Sequence, residues 1–330
     1  MSGTFADLVD LASERLGAVV VAANDEFFAP KENLIRAATP VWRDAEYTDR
    51  GKWMDGWETR RRRDVLPGDA GFGGAHDWCI VRLGGRGVVR GVDVETTHFT
   101  GNFPESCAIE VCVAPPEASP GELARAAWRG ALDRSPLQGH SHNVFDVAAV
   151  EATHVRLRIF PDGGVARLRV YGDVQPDWHS LQRDGEVDLA AVLNGGRVVA
   201  CSDMFFGSRD NVIMPGAALS MADGWETKRR RSPGHDWTVI KLGSAGMITR
   251  IEVDTRQFKG NAPAACSLEA CAVQPDWVEL LPRRTLEPDH LHTFDALPTP
   301  LANTAYIRLN IFPDGGVSRL RVFGRLPGRP

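Results

Sequence analysis

Apolar and polar positions alternate in short runs through most of the chain, which is the period of a strand with one buried face. VRLRIF (155–160) and YIRLNIF (306–312) each lead into the turn PDGG, where Asp-Gly-Gly supplies the positive φ of a tight connection. RLRVYG and RLRVFG resume the alternation beyond it, and WCIVRLGG, GVVRGVDVETTHF and AIEVCVAPP extend it with Gly and Pro punctuation. Short alternating strands at this spacing predict an all-β fold, an antiparallel sandwich of the jelly-roll kind with loops at one end free to build a site. One minor helix is predicted at PGELARAAWRGAL, where Leu123, Ala127 and Gly130 fall near one face. Matching apolar positions place Phe27, Phe160 and Val170 in one core and Phe205, Phe312 and Val322 in another.

There are two cores because the chain is written twice. VVAANDEFFAPKENLI from Val20 returns as VVACSDMFFGSRDNVI from Val198, and ETTHFTGNFPESCAIEVC from Glu95 aligns without a gap to DTRQFKGNAPAACSLEAC from Asp254. IFPDGGVARLRVYG and IFPDGGVSRLRVFG agree at twelve of fourteen positions. Units of this length are domains and not solenoid repeats. The boundaries read as a first repeat over 1–172, a polar linker over 173–186 and a second repeat over 187–330. The first copy alone carries AEYTDRGKW and DVLPGDAGFGG, whose Gly, Pro and Asp content marks them as loops.

Composition narrows the class. At 43% hydrophobic and 25% charged, the 330 residues have the balance of a globular protein that builds a substantial core. A net charge of −5 argues against a nucleic-acid binder, no apolar run is long enough for a membrane span, and MSGTFADLVD has no cationic start or apolar stretch. A cytoplasmic protein is expected, a homo-oligomer with no nucleic-acid or membrane partner. Its six cysteines are expected as free thiols, because the spacing of Cys107 and Cys112, repeated at Cys266 and Cys271, is not that of a zinc knuckle.

Four polar groups recur in both copies. Asp25 with Asn33 reads as a turn cap or, less simply, a cation site. DGWETRRRR (55–63) and DGWETKRRR (223–231) share eight of nine residues, an order that a solvated charge run does not need. Arg60 and Arg62 offer planar forks for a carboxylate, with Glu58 to hold the fork or move protons and Trp57 beside them as a substrate-binding residue. His76-Asp77-Trp78 precedes a strand, where His76 is either a proton carrier or a structural cap. Last come Glu95, His98 and Asn102, against Asp254, Gln257 and Asn261. His98 can exchange a proton and Gln257 cannot, so the working site is expected in the first copy, leaving Glu226 and Lys228 to Arg231 to serve in fold, in contacts or in a weaker site.

DLASERLG, NDEFFAPKENLI, MDGWETRRRR, HDW, HFTGN and the paired IFPDGGV stretches resemble the allantoicase family, from Asp10 to Gly324 and twice over. The resemblance implies two tandem jelly-roll domains related to galactose-binding modules, and hydrolysis of allantoate to ureidoglycolate and urea, a step of purine degradation. That substrate suits the residues: its carboxylate asks for a cation, its ureido groups for hydrogen-bonding side chains, and loss of urea for an acid and a base. The expected catalytic set is Glu58, His98, His76 and Glu95, and the expected substrate-binding set Arg60, Arg62, Trp57 and Asn102. No cofactor and no strictly required metal is expected. The alternative is a divalent ion such as Mn2+ on His76, Asp77, His98 and Glu95, which form no compact ligand motif. The competing class is a tandem carbohydrate-binding module without activity, with Trp57 and Trp225 as stacking platforms. A metal-dependent barrel is excluded by the lack of βα units.

Overall fold

A computed structural model describes residues 5, 8–63, 74–295, 297, 301 and 303–326. The chain divides into two compact units, 1–175 and 176–330. In the first, one antiparallel sheet runs in the order Val9–Asp10, Arg167–Val174, Asp77–Glu95, His142–Phe160, Ser106–Cys112, Arg129–Pro136, with Val19–Ala23 also paired to Asp77–Glu95. The second repeats this order with Val187–Asp188, Arg319–Arg325, Asp236–Asp254, Thr304–Phe312, Ala265–Cys271 and Val278–Thr285.

The strand Asp77–Glu95 pairs with His142–Phe160 in two main stretches, 77–82 with 154–159 and 87–95 with 142–152. Register breaks between them along a Gly-rich stretch where neighbouring segments come close to bare backbone: a Cβ on Gly87 would stand 2.7 Å from Leu11 Cδ1 and 2.8 Å from Asp173 O. The two arms of the bent sheet close over Cys79, Val81, Val92, Val94, Ile109, Val155, Leu157, Leu168 and Val170, all buried, in a jelly-roll β-sandwich. Trp57 packs in the same cluster, and Trp225 is equally buried in the second unit.

Two of the six residues expected in the cores lie outside them. Phe160, Val170 and Val322 are buried and Phe312 is half-buried, but Phe27 is 38% exposed and Phe205 70% exposed. Each stacks edge-on against its neighbour, Phe28 or Phe206, outside the sandwich, while the tryptophan of DGWET fills the core position. The helix is shorter than its apolar spacing suggested: it covers Pro120–Ala124, started by a capping box between Ser119 and Glu122, and Gly130 already lies on a strand. AEYTDRGKW holds a small hairpin, Tyr47–Thr48 against Gly51–Lys52. The other first-copy insertion lies outside the described residues except for Gly74. Among the described residues no helix is long and apolar enough to cross a membrane.

Candidate active site

The repeated DGWET segment is first of all a brace. Arg167 is wholly buried, and its guanidinium donates to Asp55 Oδ2 at 2.9 Å, Asp55 O at 3.1 Å and Ala38 O at 3.0 Å. Burial pushes the Asp55 carboxyl up, but the Arg167 and Val41 hydrogen bonds and the charges of Arg167 and Arg36 outweigh it and hold the group below its ordinary range. Trp57 is 0% exposed and its indole N–H donates to Asp25 O at 2.8 Å. Asn33 donates to Gly56 O at 2.9 Å. Arg60 returns to Asp25 through its backbone N–H, 2.9 Å, and through Nε, 2.7 Å, and Arg62 binds Asp162 by its N–H at 2.8 Å and Asp77 Oδ1 by Nη1 at 2.9 Å. The second repeat copies the brace: Arg319 on Asp223 at 2.9 Å, Trp225 on Asp203 O at 2.8 Å, and Arg230 on Asp314 and Asp236.

Trp57 has no surface left for a ligand; Arg60, its side chain 65% exposed, pairs with Asp25, Arg62 pairs with Asp77, and neither arginine lines the pocket described next. His76 stands away from the pocket described next, with Nδ1 2.9 Å from Gly74 O and its ring against Phe160. Glu95 is buried and accepts Thr97 Oγ1 at 2.6 Å, with His142 Nε2 3.7 Å away. His76, Asp77, His98 and Glu95 therefore do not converge, and among the described residues no group of three or more His, Cys, Asp or Glu is arranged to hold a metal ion. The cysteines are free, and burial pushes the Cys107 and Cys266 thiols up to about 12, which leaves them unreactive.

Three nominated residues do meet. Glu58, His98 and Asn102 line one pocket of about 330 Å³ in the first unit, together with Phe28, Trp42, Lys52, Met54 and Thr100. Glu58 is 8% exposed, and its one hydrogen bond on Oε1 comes from Asn102 Nδ2 at 2.8 Å. Burial pushes this carboxyl up, and the Asn102 bond only partly offsets it. His98 Nε2 lies 3.3 Å from Pro40 O. A carbonyl only accepts, so Nε2 bears the hydrogen and Nδ1 is the basic ring atom. Lys52 Nζ sits 3.7 Å from the centroid of the Trp42 ring and is the ammonium of the pocket.

Lys52 and Trp42 belong to a connection that is longer in the first repeat than in the second, and that extra length is the sequence signal for them. Val41 donates to Asp55 Oδ2 across fourteen residues, and Leu219 donates to Asp223 Oδ2 across four. The ten extra residues of the first copy lie between these anchors. Ser220 follows Leu219 where Trp42 follows Val41, and the residues left there, Ser220, Met221 and Ala222, include no cation. The rest of the geometry persists in the second unit: Asn261 donates to Glu226, and Gln257 Nε2 donates to Ala218 O at 3.2 Å, as the His98 ring does to Pro40 O.

The allantoicase repeat model matches residues 9–175 and again 187–327. A protein of Pseudomonas paraeruginosa described as a probable allantoicase is 47% identical, with 97% of each chain covered. One of Photobacterium profundum with the same description is 45% identical over the same shares. The crystal structure of allantoicase from Saccharomyces cerevisiae superposes with a TM-score of 0.81 at 35% identity, covering 96% of this chain and 92% of that one.

Proposed function

The chain belongs to the allantoicase family, and from that premise we propose that the pocket of the first repeat is where it hydrolyses allantoate to ureidoglycolate and urea. The observation that carries the assignment to this pocket is the juxtaposition of Lys52 with a buried Glu58 whose carboxyl is pushed up. Allantoate carries a carboxylate on a central carbon that also holds two ureido groups. The Lys52 ammonium takes the carboxylate, and Asn102 and Thr100 offer hydrogen bonds to the ureido groups.

In the reaction the bond between the central carbon and one ureido nitrogen breaks, and a water oxygen takes its place on carbon. The departing nitrogen gains a proton, and the water loses one. Glu58 holds its proton more tightly than an exposed glutamate, which fits it to protonate the leaving nitrogen. His98, with its hydrogen on Nε2, accepts the water proton at Nδ1. Returning that proton to Glu58 resets the site. A carbohydrate-binding module has lost its residues in this reading, because Trp57 and Trp225 are wholly buried and cannot stack on a sugar.

The purified protein is expected to release urea and ureidoglycolate from allantoate one for one, with no organic cofactor added and at the same rate after treatment with a chelator. No urea above the uncatalysed rate refutes the reading. Loss on chelation that one divalent ion restores refutes its metal-free part.

A further inference from the structure

His98 has φ 72°, in the left-handed region that a residue with a Cβ holds only under constraint. The constraint comes from across the loop: His140 Nδ1 accepts the His98 backbone N–H at 2.9 Å, so the imidazole carries its hydrogen on Nε2. His140 is left-handed too, at φ 49°, its ring centroid 5.6 Å from that of His98 and its own N–H donated to Phe99 O at 3.0 Å. The second repeat keeps this geometry with other chemistry. Gln257 has φ 78°, and its N–H is accepted at 2.8 Å by Asp289 Oδ1. Asp289 has φ 54° and donates its N–H to Phe258 O at 3.3 Å.

We infer that His140 is a positioning residue for turnover: its Nδ1 lone pair holds the strained His98 backbone so that the ring, anchored at Nε2 by Pro40 O, keeps one orientation in the pocket. The inference rests on the role given to His98 above. What the position requires is an acceptor and not an imidazole, since the same task falls to a carboxylate in the second repeat. Without an acceptor the His98 N–H loses its partner and the left-handed turn loses its hold. The ring then moves relative to the water it must deprotonate, while Lys52 still binds the substrate carboxylate. The deficit should therefore fall on kcat and not on KM.

The experiment measures kcat and KM for allantoate with the full-length protein, comparing wild type with His140→Ala, His140→Asp and His98→Gln, each checked for folding by near-ultraviolet circular dichroism. His140→Ala is expected to lower kcat about 100-fold, the scale of an ångström-sized misplacement, with KM changed less than about threefold. His140→Asp, which imports the acceptor of the second repeat, should restore kcat to within about threefold of wild type. An alanine variant at wild-type kcat overturns the inference, and so does an aspartate variant as slow as alanine. Should His140→Ala fail to fold, His140→Asp decides alone by the same margin. His98→Gln separates the two levels: if it is slow while His140→Ala is fast, only the positioning role fails, whereas a fast His98→Gln removes the proton role of His98 and this inference with it.

Discussion

Two carboxylates of one short segment, Asp55 and Glu58, are both buried, and the balance of burial against partners sends them in opposite directions. Asp55 faces a buried guanidinium and a backbone N–H and stays ionised; Glu58 faces one amide and is pushed up. The first is worth most as part of the brace, since stranding a buried charge by removing its partner costs about 3–5 kcal/mol. The second holds its proton to higher pH than an exposed glutamate does, which suits it to a donor's role. Its raised value also has a cost for stability. The folded state binds the Glu58 proton more tightly than the unfolded chain, so the contribution of this group is fully present below the ordinary glutamate value of 4.5 and is lost as pH rises through the folded one. Glu58→Gln keeps an acceptor for Asn102 and removes the titration. Its melting temperature relative to wild type should therefore climb as pH rises above that ordinary value, and then level. A difference that stays flat or falls across the same range contradicts the assignment of Glu58 as a buried, proton-holding group.

At the scale of elements, the strands were legible because alternation has a fixed period, and the duplication made the paired registers legible as well. The hairpin that carries Lys52 was not, because Gly and Asp content identifies a loop without saying what it covers. The repeated DGWET segment carries a second role that its sequence does not reveal: an order of acid, indole, acid and cation is also what a long-range brace requires, and its partners lie far away in sequence, Arg167 for Asp55 and Asp162 for Arg62. Only Glu58 of that segment reaches the pocket, and it is joined there by His98 and Asn102 as the sequence suggested. In the proposed site the ammonium of the hairpin stands where a guanidinium was expected. Lys52→Ala should raise KM for allantoate by about 10- to 100-fold, the worth of roughly 1.5–3 kcal/mol for a hydrogen bond to a charged group, and change kcat less. Lys52→Arg should recover part of the affinity. Steady-state kinetics with an unchanged KM in the alanine variant would move the carboxylate site elsewhere.

Over the whole molecule, two units share one sheet order, one brace and one left-handed residue apiece at matching positions, His98 and Gln257, yet differ where chemistry is needed. The first has the hairpin, Lys52, Trp42 and a histidine; the second has a shorter connection and a glutamine, with Glu226 and Asn261 still paired. Duplication explains the repeated brace, since each sandwich must hold its own DGWET segment against its own sheet. The proposed site uses the first of them alone, the one with Lys52 and His98 in its pocket. The most direct measurement is urea release from allantoate by full-length Glu58→Gln and Glu226→Gln, each verified as folded. Loss of a proton donor in the transition state costs about 10²–10⁴-fold, so Glu58→Gln should fall by that much while Glu226→Gln stays near wild type. Turnover retained in Glu58→Gln and lost in Glu226→Gln would contradict the account and place the reaction in the second repeat.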